Sequence, residues 1–325
     1  MYGLKDLKTT IKTDINSVEC PVKGCSVKVD RQRNSFKREQ TYLCPTHKIY
    51  ISPSTFEYET EKENLLWFDN SDNLLFEEIK KVKRESRISR DNSEDALTWN
   101  VFRFLDKQGL LPDFLSQLSN KEIKDTELIL WSYSPKEKSG WTLLNQAREE
   151  FGEKIKRGSE PDIIIRTNKV LYFIEAKLTA KNETTPSESQ NRKKYETGGD
   201  RLFQQIFKSD YETVAEKEKR YELMRFWLIG SWMAKKLNVD FEFYSLVMQS
   251  RELDIEATFG KHIIETTERK FFRLTWEQIY AFIKLLPDNK EKYIVNKYFE
   301  NKSLGYNSIG KIIKAFNVKL TKIKK

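Results

Sequence analysis

Asp162, Glu175 and Lys177 stand in a stretch whose pattern is otherwise that of a buried β-hairpin, SEPDIIIRTNKVLYFIEAKL (159–178). Its two apolar runs flank a short polar turn, and such runs usually fill a protein core. The charged residues at the ends of the runs are Asp162, Glu175 and Lys177. Charged side chains are rarely buried unless they are paired or bind a metal, so this placement indicates a functional site.

The spacing of these residues predicts that they lie close together. Alternation along a strand places Glu175 and Lys177 on one face. If Asn168-Lys169 is a two-residue loop, Asp162 lies opposite Glu175. Two carboxylates at that distance repel each other, and a divalent cation removes the conflict. The lysine could then orient or help deprotonate a water, or stabilise charge on a phosphate. These groups suit phosphodiester hydrolysis. The alternative is an exposed hairpin edge with a salt bridge between Glu175 and Lys177.

A second set of residues has the spacing of a metal site near the N-terminus. Two close pairs, Cys20-x4-Cys25 and Cys44-x2-His47, are separated by eighteen residues. Two such pairs supply the four soft or borderline ligands of a tetrahedral zinc site. The pattern is similar to a zinc ribbon or treble-clef-like finger. Four protein ligands leave no open position, so the zinc is predicted to be structural. The alternative is three incidental thiols and a surface histidine.

Composition places the chain among globular proteins. It has 325 residues, of which 33% are charged and 13% aromatic, and this length allows one large domain or two smaller ones. No apolar run is long enough to span a bilayer, and no signal-peptide pattern is present. We therefore expect no membrane partner and a cytoplasmic location. Three cysteines in that setting argue against a disulfide framework.

The net charge of +9 raises the question of a nucleic-acid partner. Residues 301–325 carry seven lysines and no acid, which fits either a phosphate-facing tail or a solvated chain end. The loop of the zinc motif is also basic, with Arg31, Arg33, Lys37 and Arg38. It could grip a nucleic-acid backbone or simply be solvated, because net charge alone does not name a partner.

The remaining pattern predicts an α/β fold with a mixed sheet. A helix capped by Ser93 is followed by strands and helices in the order helix, strand, strand, strand, helix, strand. The predicted elements are a strand at 48–58, helices at 65–90, 93–106 and 141–153, a strand at 126–133, the hairpin, a mobile loop at 178–199, helices at 200–215 and 219–236, a strand at 241–249, and a helix at 275–286 among further short elements.

With this element order, the pair Pro161-Asp162 and the triplet Glu175-Ala176-Lys177 resemble the PD-(D/E)XK nuclease superfamily, whose restriction-endonuclease-like fold has an αβββαβ core. The resemblance implies that Asp162 and Glu175 bind Mg²⁺ or Mn²⁺ and that Lys177 is the catalytic lysine. The motif residues would lie on the second and third core strands.

Two further site residues are implied by the same resemblance. Many members add an acid from the first core helix, where this chain has Glu94, although the residue alone fits a surface acid that complements the helix dipole. Some members use a glutamine on the helix after the third strand, for which Gln204 and Gln205 are candidates, with Gln205 preferred. The chain lacks the Gln-x-x-x-Tyr form of the exonuclease branch, so an endonuclease is expected.

These observations predict a zinc-finger-like module at 1–60, a connecting helix at 61–90, a nuclease core at 91–250 and a mostly helical, basic extension at 251–325. The expected activity is Mg²⁺-dependent cleavage of duplex DNA by a restriction-like, defence or mobile-element enzyme. Double-strand cleavage would favour a homodimer. The alternatives are a nuclease of this fold acting on RNA or branched DNA, and a catalytically silent zinc-containing protein that binds nucleic acid.

Overall fold

A computed structural model describes residues 2–83, 87–187 and 191–317. Within these residues the chain forms two compact units. The first unit comprises the described residues of 1–69, 86–105 and 276–325, and the second unit comprises those of 70–85 and 106–275. This division does not coincide with the linear one predicted from the sequence, because the two ends of the chain belong to one unit.

The first unit combines short antiparallel strands with helices. Its strands are β1 (Ser17–Glu19), β2 (Lys28–Asp30), β3 (Leu43–Cys44), β4 (Ile49–Ile51), β5 (Phe56–Tyr58), β13 (Ser303–Tyr306) and β14 (Ile312–Lys314). Its helices are most of α2 (Glu94–Lys107), then α8 (Trp276–Leu285) and α9 (Lys290–Asn301), with 3₁₀ turns at Tyr2–Leu4, Gln40–Tyr42 and Glu61–Asn64. β1 pairs with β2, β4 pairs with β3 and β5, and β13 pairs with β14.

The C-terminal hairpin β13–β14 belongs to the core of the first unit. The Tyr306 ring stacks on Phe56 with the ring centroids 5.6 Å apart. Gly305, with φ +108°, lies so close to the backbone that a Cβ there would be 1.9 Å from the Ser54 carbonyl oxygen. Within the extension predicted to be mostly helical, this segment is therefore a hairpin, because contacts with residues far away in the chain select it.

The second unit is built around one sheet. Its strands are β6 (Glu127–Leu130), β7 (Tyr133–Ser134), β8 (Ser139–Gly140), β9 (Ile163–Arg166), β10 (Val170–Ala176), β11 (Asp240–Val247) and β12 (Arg269–Thr275). Its helices are α1 (Asn70–Val82), α3 (Leu111–Ser119), α4 (Thr142–Glu150), α5 (Asn191–Ile206), α6 (Tyr221–Leu237) and α7 (Ile255–Gly260), with a 3₁₀ turn at Ile155–Arg157 and a π-helix at Glu212–Lys217.

In the described part of the chain this sheet has seven strands in the order β12-β11-β10-β9-β6-β7-β8. The neighbours β6, β9 and β10 are antiparallel, whereas β11 and β12 run parallel to β10. The predicted α/β fold with a mixed sheet is confirmed. The predicted order of a helix, three strands, a helix and a strand can be followed through α2, β6, β9, β10, α6 and β11. The further elements include α3 before β6, then β7, β8 and α4 after it, and α5 and the π-helix before α6.

One face of the sheet carries the hydrophobic core of the second unit. Leu171 and Phe173 of β10 and Phe241 and Phe243 of β11 belong to a buried cluster that includes residues of α4, α5 and α6. Because side chains alternate along a strand, Glu175 lies on the same face as Leu171 and Phe173. The face that holds the core therefore also presents Glu175 near the carboxyl end of β10.

The predicted strand at 48–58 and the predicted loop at 178–199 are among the elements whose limits differ in the structure. The strand predicted at 48–58 is a hairpin of β4 and β5, because Ser52 Oγ accepts a hydrogen bond from the Thr55 amide and closes a turn. The loop predicted at 178–199 ends before α5, which begins at Asn191. Tyr195 on this helix is fully buried, so tertiary packing overrides the polar, turn-rich composition of the segment.

Helix α5 also contains a break that the sequence did not predict. Residues 198–201 depart from helical geometry, and Gly199, Asp200 and Arg201 all have φ between +57° and +60°. A Cβ at Gly198 would lie 2.6 Å from the Phe151 ring. Close packing against this ring therefore requires glycine at the break.

Among the described residues, none of the helices has the length and apolarity that crossing a bilayer requires.

Helix α6 approaches β11 so closely that Gly230→Ala should destabilise the second unit. A Cβ at Gly230 would lie 2.1 Å from the Phe241 ring. We expect the free energy of unfolding, measured by urea denaturation, to fall by about 1–3 kcal/mol, although alanine is the better helix former. The matched control is Gly260→Ala at the end of α7, where a Cβ would meet nothing within 4 Å. Equal stability of the two variants would contradict the close contact.

Candidate active site and metal centre

The hairpin β9–β10 brings Asp162 and Glu175 together. The Thr167 amide donates to the Val170 carbonyl over 3.2 Å, which closes a two-residue turn. The pairing of Ile163 with Ile174, continued by one step, sets Asp162 opposite Glu175. The predicted turn and register are confirmed. In addition, the Ala176 amide donates to Asp162 Oδ2 over 2.9 Å, which holds this carboxylate at the end of β10.

Glu175 is the most buried acid of this group, with 3% of its surface exposed. Burial raises the pKa of Glu175 well above its usual value, the nearby Asp162 charge raises it further, and Lys177 opposes these effects. Glu175 Oε1 forms an ion pair with Lys177. Its Oε2 atom is buried and has no hydrogen-bond partner within the described residues. A buried carboxylate in this state would be stabilised by a cation.

Lys177 lies between two carboxylates. Its ammonium contacts Glu175 and lies 2.9 Å from Oε2 of Glu222, the second residue of α6. The Lys177 backbone amide donates to the Leu246 carbonyl of β11 over 2.8 Å, which holds the residue at the end of the sheet. Sequence reasoning missed Glu222. The signal available was an acid at the start of a strongly apolar helix, which by itself indicates only a helix terminus.

The other two predicted catalytic residues lie elsewhere on the chain. Glu94 is the first residue of α2 in the first unit, and the predicted cap is present, since Ser93 Oγ accepts a hydrogen bond from the Ala96 amide. Gln205 is exposed on α5 and its amide donates to the Asp200 carbonyl over 3.1 Å. The catalytic roles of Glu94 and Gln205 stay predictions.

Arg225 on α6 is committed to a buried ion pair. Its Nε lies 2.9 Å from Oε1 of Glu153. The same carboxylate accepts a hydrogen bond from the Tyr195 hydroxyl over 2.7 Å and from Ser159. Burial would raise the pKa of Glu153, but the Arg225 charge and the hydrogen bonds lower it overall. Arg225 therefore supports the core.

In the first unit, the four predicted zinc ligands form a cluster. Cys20, Cys25, Cys44 and His47 have ligand atoms that all lie within 4.8 Å of one another, and this is the one such group of three or more Cys, His, Asp or Glu residues among those described. Local turns position them. The Cys25 amide donates to Val22 and the Cys20 amide to Val27, while Gly24 supplies a φ of +82°.

The geometry of this cluster fits zinc. His47 Nδ1 lies 3.4 Å from Cys20 Sγ and 3.7 Å from Cys44 Sγ. Tetrahedral zinc with ordinary Zn–S and Zn–N bonds places such atoms about 3.6 Å apart. Burial lowers the pKa of His47, which favours the neutral imidazole that binds metals. Burial raises the pKa of the Cys20 thiol, and a dication would reverse that preference. The cluster could thus bind a structural zinc ion.

The arginines of the zinc loop donate to protein acceptors. Arg31 donates to the Asp14 carbonyl over 2.9 Å, and Arg33 to the Ile15 carbonyl over 2.7 Å. Arg38 pairs with Glu57 over 2.7 Å. These contacts stabilise the fold of the loop, and its predicted contact with a nucleic-acid backbone stays a prediction.

The lysine-rich C-terminal stretch is only partly available to a phosphate. Lys302 is 2% exposed and donates to the Tyr298 hydroxyl over 2.8 Å. Burial lowers the pKa of Lys302 to about 8, although the nearby Asp91 charge opposes this. Lys302 is therefore a core residue. Four of the seven lysines, in 318–325, lie outside the described residues.

Comparison of the chain with protein-family models, with curated proteins and with solved structures finds no match.

Purified protein should contain about one equivalent of zinc, and Cys44→Ser should lose it. The reason is that three remaining ligands bind zinc less tightly than four, and the short strands around the site depend on the metal for stability. Elemental analysis and thermal unfolding provide the two measurements. The matched control is Thr46→Ala, an exposed position beside His47, which should keep both zinc and stability. Native protein without zinc would contradict the assignment.

Proposed function

We propose that the second unit is a metal-dependent nuclease of the PD-(D/E)XK type that hydrolyses phosphodiester bonds in DNA. The observation that carries this proposal is the state of Glu175, a buried carboxylate beside Asp162 with one oxygen lacking a hydrogen bond in the described structure. Lys177 adjoins it. Burial of an unsatisfied anion costs stability, and such costs are characteristic of functional sites.

Asp162 and Glu175 would hold the cation, because Mg²⁺ and Mn²⁺ prefer carboxylate oxygens and Mg²⁺ is usually bound through one or two carboxylates. The bound ion would supply positive charge that stabilises the transition state at the phosphate. Lys177 would keep its ammonium beside Glu175 and donate hydrogen bonds to a phosphate oxygen as negative charge develops there. The Ala176 amide would hold the Asp162 carboxylate in place.

The strand arrangement supports the proposal. Three antiparallel strands, β6, β9 and β10, are followed by helices and then by β11, which is parallel to β10. This agrees with the αβββαβ order that the resemblance implies. The proposed first-unit zinc is structural, and the basic character of the chain, with a net charge of +9, favours a nucleic-acid substrate. A homodimer would supply two active sites for duplex cleavage.

Cleavage should require Asp162, Glu175 and Lys177. The protein would be incubated with five substrates, each with Mg²⁺, with Mn²⁺ or with a chelator. The substrates are supercoiled plasmid, linear duplex DNA, single-stranded DNA, branched DNA and RNA. We expect cleavage of DNA with the metals only. Asp162→Asn, Glu175→Gln and Lys177→Met should each lower the rate by at least about 100-fold without loss of folding. The first two remove a charge that would hold the cation, and the third removes the ammonium that would meet the phosphate.

Matched controls come from the neighbouring loop. Lys181 and Glu183 form an exposed ion pair, with side chains 66% and 44% exposed, so Lys181→Met and Glu183→Gln should cleave at the wild-type rate. Undiminished cleavage by folded Asp162→Asn protein would refute the site. A preference for RNA or branched DNA would change the proposed substrate from duplex DNA to that nucleic acid. Binding without cleavage, with either metal, would favour the alternative of a catalytically silent protein that binds nucleic acid.

A further inference from the structure

Glu222 is an acid of the candidate site that belongs to neither sequence motif. It lies on α6, 45 residues beyond Lys177 in the sequence, and its carboxylate is 2.9 Å from the Lys177 ammonium. Lys177 is 13% exposed and Glu222 28% exposed at the side chain. The ion pair is thus shielded from solvent, and shielded pairs interact more strongly than surface pairs.

The start of α6 is held by the segment that follows Lys177. Thr184 Oγ1 accepts a hydrogen bond from the Glu222 amide over 2.8 Å, and the Thr184 carbonyl accepts one from the Tyr221 amide over 3.1 Å. The Thr184 amide in turn donates to the Lys219 carbonyl over 2.7 Å. These bonds satisfy free amides of the first helical turn and set the position from which Glu222 reaches the lysine.

The same segment is anchored to the sheet by Asn182, which is 1% exposed. Its side-chain amide donates to Ser245 Oγ over 2.9 Å and also to Glu252. Ser245 is the residue of β11 that pairs with Glu175 of β10. Residues 182–184 therefore link two elements by hydrogen bonds at both ends. Asn182 binds β11, the strand that pairs with β10, and Thr184 binds α6, the helix that carries Glu222.

We propose that Glu222 is a positioning residue that holds the Lys177 ammonium on a fixed side of Glu175. Asp162 and Glu175 are two acids side by side, and both attract the Lys177 ammonium. Between them it would occupy the space that a cation needs. A second carboxylate on α6 opposes this attraction and keeps the amine next to Glu175 but available to a phosphate. This role rests on the proposed nuclease function, whereas the ion pair itself does not.

A double-mutant cycle tests the ion pair without Mg²⁺, Mn²⁺ or substrate. The unfolding equilibrium constant would be measured with no Mg²⁺ or Mn²⁺ added and the zinc retained, for wild type, Glu222→Gln, Lys177→Met and the double variant. We expect the effect of Glu222→Gln in the wild-type protein to differ by at least about threefold from its effect in the Lys177→Met variant. The matched cycle of Glu183→Gln with Lys177→Met should be additive, because Glu183 pairs with Lys181. Additivity in the Glu222 cycle would overturn the proposal.

Kinetics test the positioning role. Glu222→Gln should lower kcat by at least about tenfold with little change in KM, and Glu222→Asp should recover part of the loss, because it restores the charge but not the full reach. If the double-mutant cycle shows coupling between Glu222 and Lys177 but Glu222→Gln leaves kcat unchanged, the positioning role would be overturned. A wild-type protein that cleaves no substrate would defeat the proposed function instead, and the cycle would still decide whether Glu222 holds Lys177.

Discussion

The burial of the Glu175 carboxylate beside Asp162 is the constraint on which the candidate site depends. Moving a carboxylate out of water is costly, and a second acid nearby increases the cost. The hairpin nevertheless imposes this arrangement, because its turn and its apolar residues determine the register. Lys177 compensates only part of the charge, and one Glu175 oxygen stays without a hydrogen bond in the described structure. A fold that accepts such a loss of stability usually gains a function from it.

The two candidate sites would hold a cation in different ways. The cysteine and histidine cluster is closed, since four soft or borderline ligands surround one point and leave no position for a substrate. The carboxylate site of the second unit offers fewer protein ligands and has an amine beside it. Hard cations bound in this way retain exchangeable positions. The first arrangement therefore suits stability, and the second suits the proposed chemistry on a phosphate.

Arg225 and Glu222 show why residue type alone is a poor guide on a single helix. Both are charged residues on α6, and an arginine is the residue type that would be expected to contact a phosphate. In the structure Arg225 pairs with the buried Glu153, whereas Glu222 contacts the proposed catalytic lysine. The difference follows from which element each side chain meets, and neither partner is near α6 in the sequence.

Features that depend on local backbone geometry follow from the residues and their spacing. A two-residue turn and strand alternation place Asp162 opposite Glu175, and tight turns bring each pair of zinc ligands together. Partners from distant segments become visible in the folded chain, namely Glu222 beside Lys177, Asn182 on Ser245, and the C-terminal hairpin in the core with Phe56. These contacts depend on how whole elements pack, and packing is a collective property that no short stretch of residues encodes.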